Sequence, residues 1–291
     1  MSNSTSIFAN KPEDFFSEED IIVHNITMHP GLSALNVGYE ESSWRYDEFA
    51  DYLLDWLPEF ALKYSDILKM SHANSRSFLK RAAKTVYQTD KYKNRGEFGE
   101  LILHALIRKL FNSQPAVSKI YYKTSANETV KGFDAVHIVE ADESIELWLG
   151  EAKFYTDIDR AINDVITELR DHCKRNYLRD EFILVSGKID DNWSYADKVK
   201  KMLSSRTSLD TIFSKICFPV LLTYESKTIG ENKKITDEFK KRLKEEVIIN
   251  YRNFKEKLST DKIKVHLILL PLDCKQDLVD CLNAKLEGLQ R

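Results

Sequence analysis

From about residue 117 onward, short apolar runs of strand length alternate with longer stretches of helical period. That alternation constrains the fold more than any other feature of the chain. Residues 117–123, 132–140, 145–155, 181–186, 217–224 and 264–270 read as strands, and a polar turn over 141–144 joins the second to the third. Helical periodicity covers 158–177, with Ala161, Val165, Ile166 and Leu169 inward, and then 195–203, 236–258 and 275–289. Apolar strands separated by helices must bury both faces of a sheet. The expected architecture is therefore α/β, a mixed sheet with helices on either side.

The first part of the chain has a different texture. A short strand is expected within 21–37, with a turn at His29, Pro30 and Gly31. Helices follow over 44–63, where Phe49, Leu53, Trp56, Leu57 and Phe60 make one stripe, and over 75–87 and 96–111. We place a boundary near Tyr92. Residues 1–91 form a mostly helical region for partner contact or regulation, and residues 92–291 carry the catalytic α/β unit. With only 9 Gly and 6 Pro, no long flexible linker is expected. Residues 1–62 hold twelve acidic and two basic residues, whereas 63–95 hold nine basic and two acidic ones. The basic stretch could track a phosphate backbone, or simply be a solvated helix face; the acidic one would repel DNA. The net charge of -3 does not by itself announce a nucleic-acid binder.

Other classes are disfavoured. The longest apolar runs fall far short of a bilayer span, and the first ten residues lack the pattern of a signal peptide, so the expected location is the cytoplasm, with no membrane partner. Cys173, Cys217, Cys274 and Cys281 contain no Cys-x-x-Cys pair, which argues against a zinc site.

Chemistry concentrates in two adjacent strands. The first carries Asp134, and the second carries Glu151-Ala152-Lys153. Glu151 and Lys153 are two apart, so they share a strand face with Ile145, Leu147 and Leu149. Burying such charges on an apolar face is costly without a partner. Two carboxylates and the Ala152 carbonyl around Mg²⁺ (or Mn²⁺) would resolve that cost, and Lys153 could then assist attack on a phosphodiester. A structural ion pair is the competing explanation. Glu-x-Lys occurs four times, at Glu151, Glu225, Glu231 and Glu238, but only Glu151 lies inside an apolar strand after an Asp-bearing one. The helix over 96–111 offers a further carboxylate. Glu97 suits the helix dipole, and Glu100, one turn in, is the better metal-site candidate, with Glu97 as alternate. His104, four residues past Glu100, shares its face and is a weaker second candidate; Tyr155 and Arg160 could touch DNA phosphate.

A helix glutamate, Asp134 and Glu151-Ala152-Lys153 followed by an α/β continuation resemble the PD-(D/E)XK nuclease superfamily, whose fold is restriction-endonuclease-like. More narrowly, residues 95–100, 131–134 and 149–155 resemble the HamA family, effector subunits of Hachiman anti-phage defence. One departure is Phe133 where the superfamily motif has Pro, a position that carries no ligand. The resemblance implies a Mg²⁺-dependent DNase restrained by a helicase partner of the HamB type.

Overall fold

A computed structural model describes residues 11–86, 96–117, 132–141, 144–258 and 263–291. Among these residues the chain is built on one seven-stranded mixed sheet. In chain order its strands are β1 (Ile21–Asn25), β2 (Gly31–Leu35), β5 (Gln114–Val117), β6 (Ala135–Ala141), β7 (Ser144–Phe154), β8 (Ile216–Glu225) and β9 (Lys264–Leu272). A small ribbon of β3 (Tyr39–Glu40) and β4 (Ser43–Trp44) stands apart. Across the sheet the order is β1-β2-β9-β8-β7-β6-β5. The pairs β2/β9, β9/β8 and β8/β7 are parallel, and the outer pairs are antiparallel.

Each face of the sheet has its own core. On one face lie α1 (Tyr46–Asp55), α2 (Leu57–Ala61), α4 (Ser75–Val86), α5 (Gly96–Phe111) and α12 (Lys275–Gln290); the short α3 (Tyr64–Ile67) links α2 to α4. On the other lie α6 (Ile158–His172), α7 (Arg175–Lys188), α8 (Ala196–Leu203) and α9 (Leu209–Phe213). Beyond the short α10 (Lys227–Gly230), α11 (Asp237–Leu258) serves both cores: Phe239 and Leu243 enter the first, and Val247, Tyr251 and Phe254 the second. This is the mixed α/β, restriction-endonuclease-like architecture with a helical N-terminal region. No helix among the described residues is long and apolar enough to cross a membrane.

Several local expectations change. Residues 181–186 are helical, inside α7, not a strand. The run Phe182–Val185 has strand length, but Leu178, Phe182 and Val185 are buried at helical spacing, while Ile183 and Leu184 are 68% and 47% exposed. The helix expected over 158–177 ends at His172, because Lys174 takes an extended conformation and starts a new helix. The helix expected over 44–63 breaks at Trp56, and Pro58 then stands in the first turn of α2, where its missing N–H costs nothing. The single strand expected within 21–37 is a hairpin of two. Of the strand expected at 117–123, only Val117 lies within the described residues, at the end of β5.

The junction near Tyr92 falls outside the described residues. On its N-terminal side, β2 pairs with β9 from Gly31↔His266 to Ala34↔Leu269. Helices α1 and α4 pack on α12. The N-terminal region and the α/β unit thus share one sheet and, on the α5 side, a common core.

Candidate active site

The site forms where β6 begins, β7 ends and α5 crosses them. Two glycines allow the close crossing. A Cβ on Gly99 would sit 2.8 Å from the Phe154 Cβ, and a Cβ on Gly150 would sit 2.8 Å from Leu103 Cδ2. With hydrogen in both places, α5 lies directly on β7 and carries Glu100 to the strand end.

Asp134 is held by the β6/β7 ladder. Its N–H donates to the Gly150 carbonyl at 2.8 Å, and its Oδ2 accepts the Ala152 N–H at 2.8 Å. Because Ala135 pairs with Gly150, Asp134 lies across from Glu151. Phe133, in the place of the motif proline, is buried with its ring edge-on to His172 at 5.0 Å.

Glu151 keeps company with Leu147 and Leu149 on the apolar face of β7 and is only 2% exposed. Its Oε1 lies 2.7 Å from Nδ1 of His172, the last residue of α6. Burial holds His172 below the ordinary histidine pKa, even with the carboxylates of Glu168, Asp134 and Glu181 pulling the other way. The imidazole is therefore neutral beside the Glu151 carboxylate. The ring is clamped between Phe133 and Tyr177, stacking on the latter at 4.3 Å.

Lys153 reaches the same side as Glu151 and forms an ion pair with Glu168 of α6. Burial opposes its charge. The Glu168 bond and charge, and then the charges of Glu151 and Asp134, outweigh that and raise the pKa above the usual lysine value. Lys153 is therefore a permanent cation at neutral pH, suited to meeting negative charge rather than accepting a proton.

An open cleft of about 690 Å³ gathers most of the candidates: Glu100, Asp134, Ala152, Lys153, Tyr155 and Arg160 all line it. The Arg160 guanidinium lies 5.2 Å from the Tyr155 ring centroid. Glu151, Glu97 and His104 do not line it. His104 is buried one turn further along α5, with Nε2 3.1 Å from Glu59 and Nδ1 3.2 Å from His137, which is itself a core histidine 2% exposed.

Among the described residues, no three His, Cys, Asp or Glu side chains are gathered as a preformed metal cage. Glu100 and Asp134 nevertheless set two hard oxygen donors on the wall of an open cleft. That donor set suits Mg²⁺, which takes one or two carboxylates and keeps its other positions for water and substrate phosphate. Mn²⁺ accepts the same ligands.

Four site residues escape a reading of the sequence. Glu168 and His172 extend the buried stripe of Ala161 and Val165 along α6, so a polar residue at each apolar position was the available signal. Glu225 and Lys275 line the cleft from the end of β8 and the start of α12. Only the sheet order brings them there.

Comparison with known proteins covers nearly all of this structure. The HamA family model matches residues 13–286. Anti-bacteriophage protein A of Escherichia coli (strain K12) is 26% identical over 264 residues, covering 86% of this chain and 47% of that protein. The chain thus spans about half the length of the curated relative it matches. The family match runs from ahead of β1 into α12 and takes in every cleft residue named above, and the chain belongs to the HamA family.

Proposed function

We propose that this chain is a metal-dependent DNA phosphodiesterase, the nuclease effector of an anti-phage defence complex, restrained by and acting with a helicase subunit. One observation carries the catalytic part: carboxylates from α5 and the start of β6 and a charged lysine from β7 open onto one cleft. The defence role is supported by family membership and by the printed name of the E. coli relative.

Glu100, Asp134 and the Ala152 carbonyl would hold Mg²⁺, with Glu151 as the further carboxylate behind them. The ion supplies a Lewis acid for a phosphate oxygen and lowers the pKa of bound water. Lys153, fully protonated, holds its ammonium toward the charge that grows on the phosphate. Glu168 keeps that ammonium charged and fixes its direction. Arg160 and Tyr155, at the rim, contact the backbone outside the scissile bond.

The test is cleavage of plasmid DNA in Mg²⁺ by the full chain and by Lys153→Ala and Asp134→Ala, with and without the helicase partner. Each substitution is expected to lower the rate by roughly 10²-fold or more, and EDTA to abolish it. Equal cleavage by wild type and Lys153→Ala would sink the mechanism. The complex is tested by size-exclusion chromatography of the co-expressed subunits, where separate elution removes the restraint model.

A second reading, a non-catalytic DNA-binding or regulatory subunit, is favoured by one feature. Glu151 faces His172 rather than the cleft. DNA binding that persists in EDTA, without cleavage in any state, would select it.

A further inference from the structure

Lys275 is the first residue of α12, three positions after β9 ends. Its N–H donates to Glu225 Oε1 at 2.9 Å, which ties the start of the helix to the end of β8. Its ammonium donates to the Phe154 carbonyl at 2.5 Å and lies 4.5 Å from the Phe154 ring centroid. Phe154 packs into the core on the α5 side, whereas Lys153 reaches Glu168 on the α6 side. Two lysines therefore reach the end of β7 from opposite faces of the sheet, and both line the same cleft.

Their electrostatic situations differ. Lys153 has Glu168, and at the rim the Arg160 Nε lies 3.8 Å from Asp164. Lys275 makes no ion pair among the described residues. Burial lowers its pKa, and Glu225 offsets this only partly, through its charge. The carbonyl takes one of three ammonium protons, and the ring covers one side. A half-buried cation with no direct ion pair is costly, and an anion in the cleft would relieve the cost.

We propose that Lys275 binds a backbone phosphate of the DNA beside the one that is cleaved. It holds the strand from the α12 side while Lys153 faces the scissile phosphate from the α6 side. The proposal rests on the nuclease reading for the identity of the polyanion. If Lys275 instead serves only to satisfy the Phe154 carbonyl, its loss would alter folding stability and leave the electrostatics of DNA binding untouched.

The experiment measures binding of a short fluorescein-labelled duplex to the full chain across a salt series, with Ca²⁺ in place of Mg²⁺. One phosphate contact contributes about 0.9 to the slope of log K against log salt. Lys275→Gln is expected to flatten the slope by about that amount, and Lys275→Arg to restore it, since a guanidinium also pairs with phosphate. Circular dichroism and urea unfolding of both variants identify any loss of fold. An unchanged slope in folded Lys275→Gln overturns the proposal while the nuclease reading stands. A flattened slope in a protein that never cleaves DNA retains the contact and removes the nuclease reading. A wild-type chain that binds no duplex at any salt overturns both.

Discussion

Substituting Glu59 by alanine should destabilise the protein by about 3–4 kcal/mol, although Glu59 lies far along the chain from every cleft residue. Glu59, on α2, accepts from Arg108 Nε at 2.6 Å and from its second nitrogen, NH2, at 3.2 Å, and its Oε1 lies 3.1 Å from His104 Nε2. Arg108 is completely buried, and its NH1 donates to the Ser113 carbonyl. His104 continues the network to His137, and His137 Nδ1 meets the Ser113 hydroxyl at 2.8 Å. Burial keeps both imidazoles below the ordinary histidine pKa, so both are neutral. One proton order serves both hydrogen bonds, Ser113 to His137 and His137 to His104, and leaves the His104 Nε2 proton beside Glu59.

Removing Glu59 takes the Glu59 carboxylate away from a buried guanidinium, a class of change that costs about 3–5 kcal/mol. The surviving Ser113 contact places the cost in the lower half of that range. Urea unfolding measures it. With a slope of about 3 kcal/mol/M, at the upper end for small proteins, the midpoint should fall by about 1 M. The double variant Glu59→Ala/Arg108→Met removes the buried charge as well and should recover most of the loss. An exposed control, Arg242→Ala, breaks the surface pair with Glu231 and should leave the urea midpoint close to that of wild type. A Glu59→Ala protein within about 1 kcal/mol of wild type would refute the reasoning. The same network joins the N-terminal helical layer to α5 and β6, so DNA cleavage should fail at the temperature where the variant unfolds.

Three further outcomes are expected. Gly99→Val should cost about 1–3 kcal/mol by overpacking and lift Glu100 away from the strand end; equal thermal stability and cleavage would contradict the close crossing. Glu168→Gln should let burial pull the Lys153 pKa down, moving the alkaline limb of the cleavage profile to lower pH; an unmoved limb would deny Glu168 its role. Stability should decline on acidification, because burial depresses His104, His137 and His172, and holds His266 at about 3. Below about pH 6.5 the unfolded chain binds more protons than the folded one, so the loss begins there and continues toward the folded values, by up to about 1.4 kcal/mol per pH unit for each such histidine. Unfolding free energies that are flat between about pH 7 and about pH 5 would contradict those burial shifts.

Residue patterns and tertiary contacts contributed differently. Periodicity located α5, α11, α12, β7, β8 and β9 because each buries a long, regular face. It failed at 181–186, where four consecutive apolar residues fit either period and burial chose the helix. The apolar face around Glu151 was legible because strand alternation is local. The direction of the Glu151 side chain was not, since it depends on where α6 ends and sets His172.

The alternation of short apolar runs with helical stretches determined the class of fold, and the Glu151-Ala152-Lys153 strand following Asp134 pointed to the candidate site. Only the tertiary structure decided that β1 and β2 complete the sheet beside β9, that Glu100 rather than Glu97 or His104 meets the cleft, and that Lys275 reaches the strand end from the far side. The physical reason is range: pattern reports what each element hides, whereas a cleft at the strand ends is assembled from residues more than a hundred positions apart.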